Sequence, residues 1–239
     1  MPGFYWRLKD FLTDENRQPN NIIAGRDGKV YEIRDNALGR LVLHKPFLPM
    51  LDEIRPGFEY ALPKIPGELL TRAISFFRSY CTRDAQNEVM LQIFFNTLTG
   101  QYDLECPVQK VRWDSIKADC SQRFDDLYFI QVMQLHSHNT MPAYFSAIDN
   151  ADEQKYMLYG VVGDLLNETP EMKLRVGHGG QWIMLPIEHI FDRPDLRAMG
   201  PFPAEWHNRV TVDTSADDLE MWSTISPIPK QKHGGLLKR

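Results

Sequence analysis

Residues 136–149 read His136-Ser137-His138-Asn139-Thr140-Met141-Pro142-Ala143-Tyr144-Phe145-Ser146-Ala147-Ile148-Asp149. The ten residues before them, DLYFIQVMQL at 126–135, have the composition of a strand that delivers the chain to His136. Residues i and i+2 of a strand point to one face, so both imidazoles converge where that strand ends. Ser146 stands where a helix can begin, with Asp149 about one turn inside it. Two histidines and a carboxylate make a three-ligand set for zinc and leave a fourth position open for water. A His-x-His pair alone is a weak signal, because two exposed histidines near a turn are common. The Ser-x-x-Asp at a fixed distance strengthens it. Met141 to Phe145 are mostly apolar and wall the site.

Working outward, a helix is expected from Gly67. Leu70, Ala73, Ile74, Phe77 and Cys81 recur at helical spacing and form one apolar stripe. The polar group at 82–87 ends it. Glu88 then opens a short apolar run, 89–95, that reads as a buried strand, and Thr99-Gly100 turns the chain into a returning strand at 101–106. After the opening segment, 149–158 is expected to be helical, with acidic residues early in it where they suit the helix dipole. Residues 159–163 read as a strand. Residues 173–176 and 181–185 read as a hairpin across Gly177-His178-Gly179-Gly180. Upstream, Asp27-Gly28 between two apolar runs signals another hairpin, and 41–43 adds a third strand. Five prolines between Pro46 and Pro66 make a connector. The expected organisation is a β-rich N-terminal extension at 1–66, a main domain at 67–212 that carries the opening segment, and a flexible tail at 213–239.

Bulk properties bound the function. The 239 residues are 43% apolar, enough for a buried core, and the net charge of −5 offers no broad basic field for nucleic acid. Three cysteines without a CxxC pair argue against a disulfide framework and against a cysteine-rich zinc ribbon. The charged N-terminus does not read as a signal peptide, and no apolar run approaches the ~20 residues of a membrane span. A cytoplasmic protein with no nucleic-acid or membrane partner is expected.

The pattern His136-Ser137-His138, seven residues, Ser146-Ala147-Ile148-Asp149 resembles the motif of the JAMM metalloprotease family, also called MPN+ or JAB. The flanking LHSHNTMPAYFSAIDNADE, ALPKIPGELL at 61–70, CPVQ at 106–109 and YGVVGDL at 159–165 are similar to a prokaryotic JAB branch, the PRTRC system protein A group, over about residues 20–195. The resemblance implies an α/β fold of JAB/MPN type, cytidine-deaminase-like, with a curved mixed sheet flanked by helices. It implies Zn2+ on His136, His138 and Asp149, and Ser146 as hydrogen-bond donor to the oxyanion. It also implies a glutamate acting as general base, which in the family opens a strand that follows a helix. Glu88 fits that place, with Glu105 and Glu59 as distant alternatives. A glycine that many relatives carry shortly after this glutamate is absent from Val89-Met90-Leu91. The activity implied is zinc-dependent hydrolysis of a peptide or isopeptide bond, on a ubiquitin-like protein or conjugate. The genetic company implied is a ThiF-type, E1-like protein and a ParB-related protein.

Two rival readings remain: a non-catalytic interaction module of the same fold in a mobile-element complex, and a zinc amidase for a small metabolite. Retention of His136, His138, Ser146 and Asp149 weighs against the first. No HExxH is present, and the zinc-deaminase pattern is absent. His178 reads as a turn residue. Asp152 and Glu153 read as helix N-terminal charges that can also line the rim of the site. Trp182, Trp206 and Trp222 read as packing residues. Gly234-Gly235 is a speculative self-processing sequence.

Overall fold

The computed structural model describes residues 2–120 and 127–213. The chain divides into two units, Met1–Pro56 and Gly57–Arg239. The first holds β1 (Gly3–Tyr5), α1 (Leu8–Thr13), β2 (Asn21–Ala24), β3 (Val30–Asn36) and β4 (Gly39–His44), in a four-stranded sheet of that strand order. β2 and β3 form the expected hairpin, turned by Gly28 at φ 76, a backbone setting that glycine adopts without strain. Phe11, Ile23 and Ile33 make its small core, with Tyr5 packed against them.

The second unit begins with β5 (Ile65–Pro66) and α2 (Gly67–Tyr80). It continues through β6 (Met90–Asn96), β7 (Gln101–Glu105), β8 (Val108–Val111), β9 (Ile116–Asp119), β10 (Phe129–Ser137), α3 (Ala147–Asp152), β11 (Met157–Gly163), β12 (Glu171–His178) and β13 (Gln181–Leu185). It closes with α4 (Ile187–Ile190), β14 (Phe191–Asp192), a 3-10 turn at Ala204–Arg209 and β15 (Val210–Val212). The main sheet has six strands in the order β13-β12-β11-β10-β6-β7. β10 and β11 are parallel and connect through α3; their other neighbours are antiparallel. The fold is therefore α/β, rich in sheet, with mixed strand directions and few helices.

Strand alternation gives this sheet two different faces. Leu91, Leu135, Gly160, Leu174 and Leu185 form one cross-strand row. Leu91, Leu135 and Leu174 of that row are buried in the core with Leu70, Ala73, Ile74 and Phe77 of α2. The next row, Gln92, Gln134, Tyr159, Arg175 and Met184, points the other way. His136 belongs to this second face, beside Met90 and Val161. One face is thus the apolar floor against α2, and the other carries polar groups.

Several expectations need correction. Residues 57–66 group with the second unit, not with the extension: Ile65 is fully buried in the core, β5 pairs with β14, and the Tyr60 and Tyr102 hydroxyls share a 2.6 Å hydrogen bond. The helix expected at 149–158 is only α3, because Met157 and Leu158 are already in β11, held between β10 and β12. The strand expected from residue 126 begins at Phe129 and runs through Ser137. Residues 121–126 and the tail from residue 214 lie outside the described residues.

The sheet of β15, β8 and β9 was not legible, and Gln109 explains why. It is buried, and its side-chain amide bonds both the N–H and the C=O of Met90 at 2.9 Å. A glutamine thus fills a core-facing strand position and breaks the apolar alternation.

Candidate metal centre

The site forms where β10 ends and α3 begins. Strand alternation puts His136 and His138 on one face, and both are buried. Ser146 caps α3: its Oγ accepts from the Asp149 N–H at 3.1 Å, and the Asp149 carboxylate accepts from the Ser146 N–H at 2.6 Å. This reciprocal capping box fixes the carboxylate through Oδ2 and leaves Oδ1 towards His136. His136 Nε2 lies 3.2 Å from His138 Nε2 and 3.4 Å from Asp149 Oδ1; His138 Nε2 lies 3.9 Å from Asp149 Oδ2. The three residues together can hold a metal ion.

The two shorter separations are close to those around a tetrahedral ion. Ligand atoms about 2.0–2.2 Å from one zinc are separated by roughly 3.3–3.5 Å. Protonation states agree. Burial lowers the pKa of His136 and of His138, with Asp149 pulling the other way. Burial pushes Asp149 up, but His136 and the Ser146 hydrogen bonds outweigh it and leave the carboxyl below its ordinary value. Neutral imidazoles and an ionised carboxylate are the forms that bind metal.

Residues 138–146 are folded over the end of the sheet by backbone bonds. The His138 N–H bonds Val162 O at 2.8 Å, Met141 N–H bonds His138 O at 2.8 Å, and Leu165 N–H bonds Asn139 O at 2.9 Å. Asn139 takes a left-handed turn at φ 50 and donates its side-chain amide to Trp113 O at 3.1 Å. The Tyr144 ring packs edge-on against His138 at 4.7 Å. Gly163 permits this close approach, because a Cβ there would collide with the Met141 carbonyl and the Ala143 nitrogen. Gly163→Ala is therefore expected to cost about 1–3 kcal/mol of stability and to weaken zinc uptake. Urea unfolding and a zinc titration check both effects.

Glu88 stands beside this group. The β6–β10 register pairs Met90 with His136, so its continuation sets Glu88 opposite His138. Ser137 locks the pairing: its Oγ accepts from the Val89 N–H at 2.9 Å, and its own N–H bonds Val89 O at 3.0 Å. Burial, then the charges of Asp149 and Asp114, raise the Glu88 pKa to about 8. A carboxyl so tuned sits near the neutral range in which acid–base groups work.

His136, His138, Ser146, Asp149 and Glu88 are thus brought to one place. Glu59 and Glu105 are not part of this group; Glu105 lies on β7, opposite Gln92. His178 ends β12 at the tight turn of Gly179 and Gly180, and Trp206 is a buried core residue. Trp222 and Gly234-Gly235 lie outside the described residues. Sequence reasoning missed Gly163 and Arg175, named Ser137 only as part of the motif, and read Glu153 as a helix charge that can also line the rim of the site. Among these, the glycine ending a buried strand was the readable signal of a close backbone approach. No family model matches the chain, and no curated protein matches it.

Proposed function

We propose that the chain is a zinc-dependent peptidase or isopeptidase of JAMM type, built on a JAB/MPN-like domain. The observation that carries this reading is the convergence of His136, His138 and Asp149 with a buried glutamate beside them. A bound zinc would polarise the scissile carbonyl and acidify the attacking water. Glu88 takes the proton from that water and passes it to the leaving amine. Ser146 has an Oγ lone pair committed to the Asp149 N–H, so its O–H remains free to donate to the oxyanion. Tyr144 and Ile148 are exposed beside these groups and offer apolar contacts to a peptide.

The substrate class proposed is a ubiquitin-like protein or its conjugate, with a ThiF-type, E1-like protein as a functional partner. No helix among the described residues is long and apolar enough to cross a membrane. The test is hydrolysis of ubiquitin-like fusions and of small amides, with zinc and with a chelator. Zinc-dependent cleavage of fusions is expected. Cleavage of small amides alone would favour a metabolite amidase, and zinc binding without turnover would favour the interaction module.

Ser146→Gly removes the hydroxyl and keeps the backbone N–H that holds the Asp149 carboxylate. Glycine is tolerated as an N-cap with a loss of only a few tenths of a kcal/mol. Turnover should nevertheless fall about 100- to 1000-fold, with zinc retained. Steady-state kinetics beside a zinc assay measures this split.

A further inference from the structure

Arg175 is a buried cation on the site face of the sheet, 4% exposed, and the proposed mechanism does not use it. Its neighbours on β12 and beyond are unusual for an arginine. The guanidinium carbon lies 3.7 Å from the Phe145 ring centroid and 4.5 Å from that of Trp182. Its edge is occupied as well: Nε donates to Glu153 Oε2 at 2.7 Å, and Nη1 donates to Asn150 Oδ1 at 2.7 Å. Nη2 also pairs with the Glu153 carboxylate. Glu153, at the C-terminal end of α3, is itself buried.

Every one of these partners except Trp182 flanks the Ser146–Asp149 pair in sequence. Phe145 directly precedes the cap, Asn150 directly follows Asp149, and Glu153 ends the helix. α3 has only six residues and buries none of its own side chains. A helix that short is not stable by itself. Its position therefore depends on the capping box at one end and on Arg175 along its length. We propose that Arg175 is a positioning residue that clamps α3 to β12, so that Asp149 is held towards His136 and His138 before a metal arrives. The inference rests on the reading of these three residues as a metal site.

The chemistry favours arginine over lysine. A planar guanidinium stacks between two rings and still presents a fork of donors to carboxylate and amide. A lysine ammonium keeps the charge but cannot do both. Partners that orient metal ligands typically contribute 10- to 100-fold in metal affinity.

The test uses the full chain and two readouts on the wild type, Arg175→Lys and Asn150→Ala. The first is zinc affinity by competition with a chromophoric chelator. The second is amide hydrogen exchange of the metal-free protein over Ala147–Asp152. Arg175→Lys should weaken zinc binding 10- to 100-fold and speed exchange in α3, while β11 keeps its protection. Asn150→Ala, which removes one bond from a partly exposed residue, should do the same to a smaller extent, and it decides the matter if Arg175→Lys does not fold. Wild-type affinity in the variants, or faster exchange spread evenly over the sheet, would overturn the clamp. If the wild type binds no zinc, the metal-site reading fails, and exchange in α3 then decides the clamp alone: local acceleration supports it, unchanged exchange overturns it.

Discussion

Glu88→Gln should abolish turnover and at the same time make the metal-free protein more stable. The loss follows from removing the group proposed to move the proton, a change that usually costs about 100- to 10,000-fold. Zinc should stay bound, because Glu88 is not one of the three ligands. The gain in stability follows from burial. The carboxyl has its pKa lifted from 4.5 to about 8, so the folded state disfavours its ionised form. The sign is that of a raised acid: its contribution is fully present below pH 4.5 and is lost as pH rises through about 8. Each tenfold change in proton affinity is worth about 1.4 kcal/mol. Metal-free wild type should therefore lose about 1 kcal/mol more between pH 7 and 9 than the glutamine variant, which keeps the smaller losses from Glu153 and Cys106, whose pKa values burial also raises. Starting at pH 7 avoids the opposite slope of His136 and His138, whose lowered pKa values cost stability in acid. Denaturant unfolding across that range, beside an activity assay, measures both halves. A variant that is inactive and less stable at pH 9 would mean that Glu88 is a structural residue.

His138→Ala should remove zinc and activity together. His138 supplies one of three ligands, so affinity should drop by more than the roughly 10- to 100-fold that follows loss of an outer partner. Asp149→Asn should do the same while retaining part of the capping box, since an asparagine oxygen still accepts from the Ser146 N–H. Chelation of the wild type should reproduce the loss, and added zinc should restore activity to the wild type alone. If His138→Ala kept stoichiometric zinc and full turnover, the ligand set would be wrong.

Much of this arrangement was readable in the residues because it is local. The two histidines sit two apart on a strand, and Ser146 and Asp149 three apart at a helix start, so each pair is placed by the geometry of one element. Glu88 was reached only through the resemblance, as the glutamate that opens a strand after a helix; the antiparallel pairing that sets it opposite His138 is seen in the structure. The long apolar stripe of α2 was legible for its regular spacing. What escaped was set by distant partners. Arg175 has the look of a solvent-facing residue in an alternating strand, like Lys173 two places before it, which is exposed. Contacts with Phe145, Trp182, Asn150 and Glu153 surround Arg175, while Lys173 stays exposed. Gln109 hides a strand by placing an amide where an aliphatic side chain is expected. The length of α3 was overestimated because acidic residues at 149–153 suit a helix start; Glu153 instead turns in to meet Arg175, and the chain leaves for β11.

The most direct measurement is metal stoichiometry of the purified protein with X-ray absorption at the zinc edge. One zinc per chain is predicted, in a shell of nitrogen and oxygen only, with two imidazoles, and lost in His138→Ala. No uptake by the wild type, or sulfur in the shell, would contradict the centre formed by His136, His138 and Asp149.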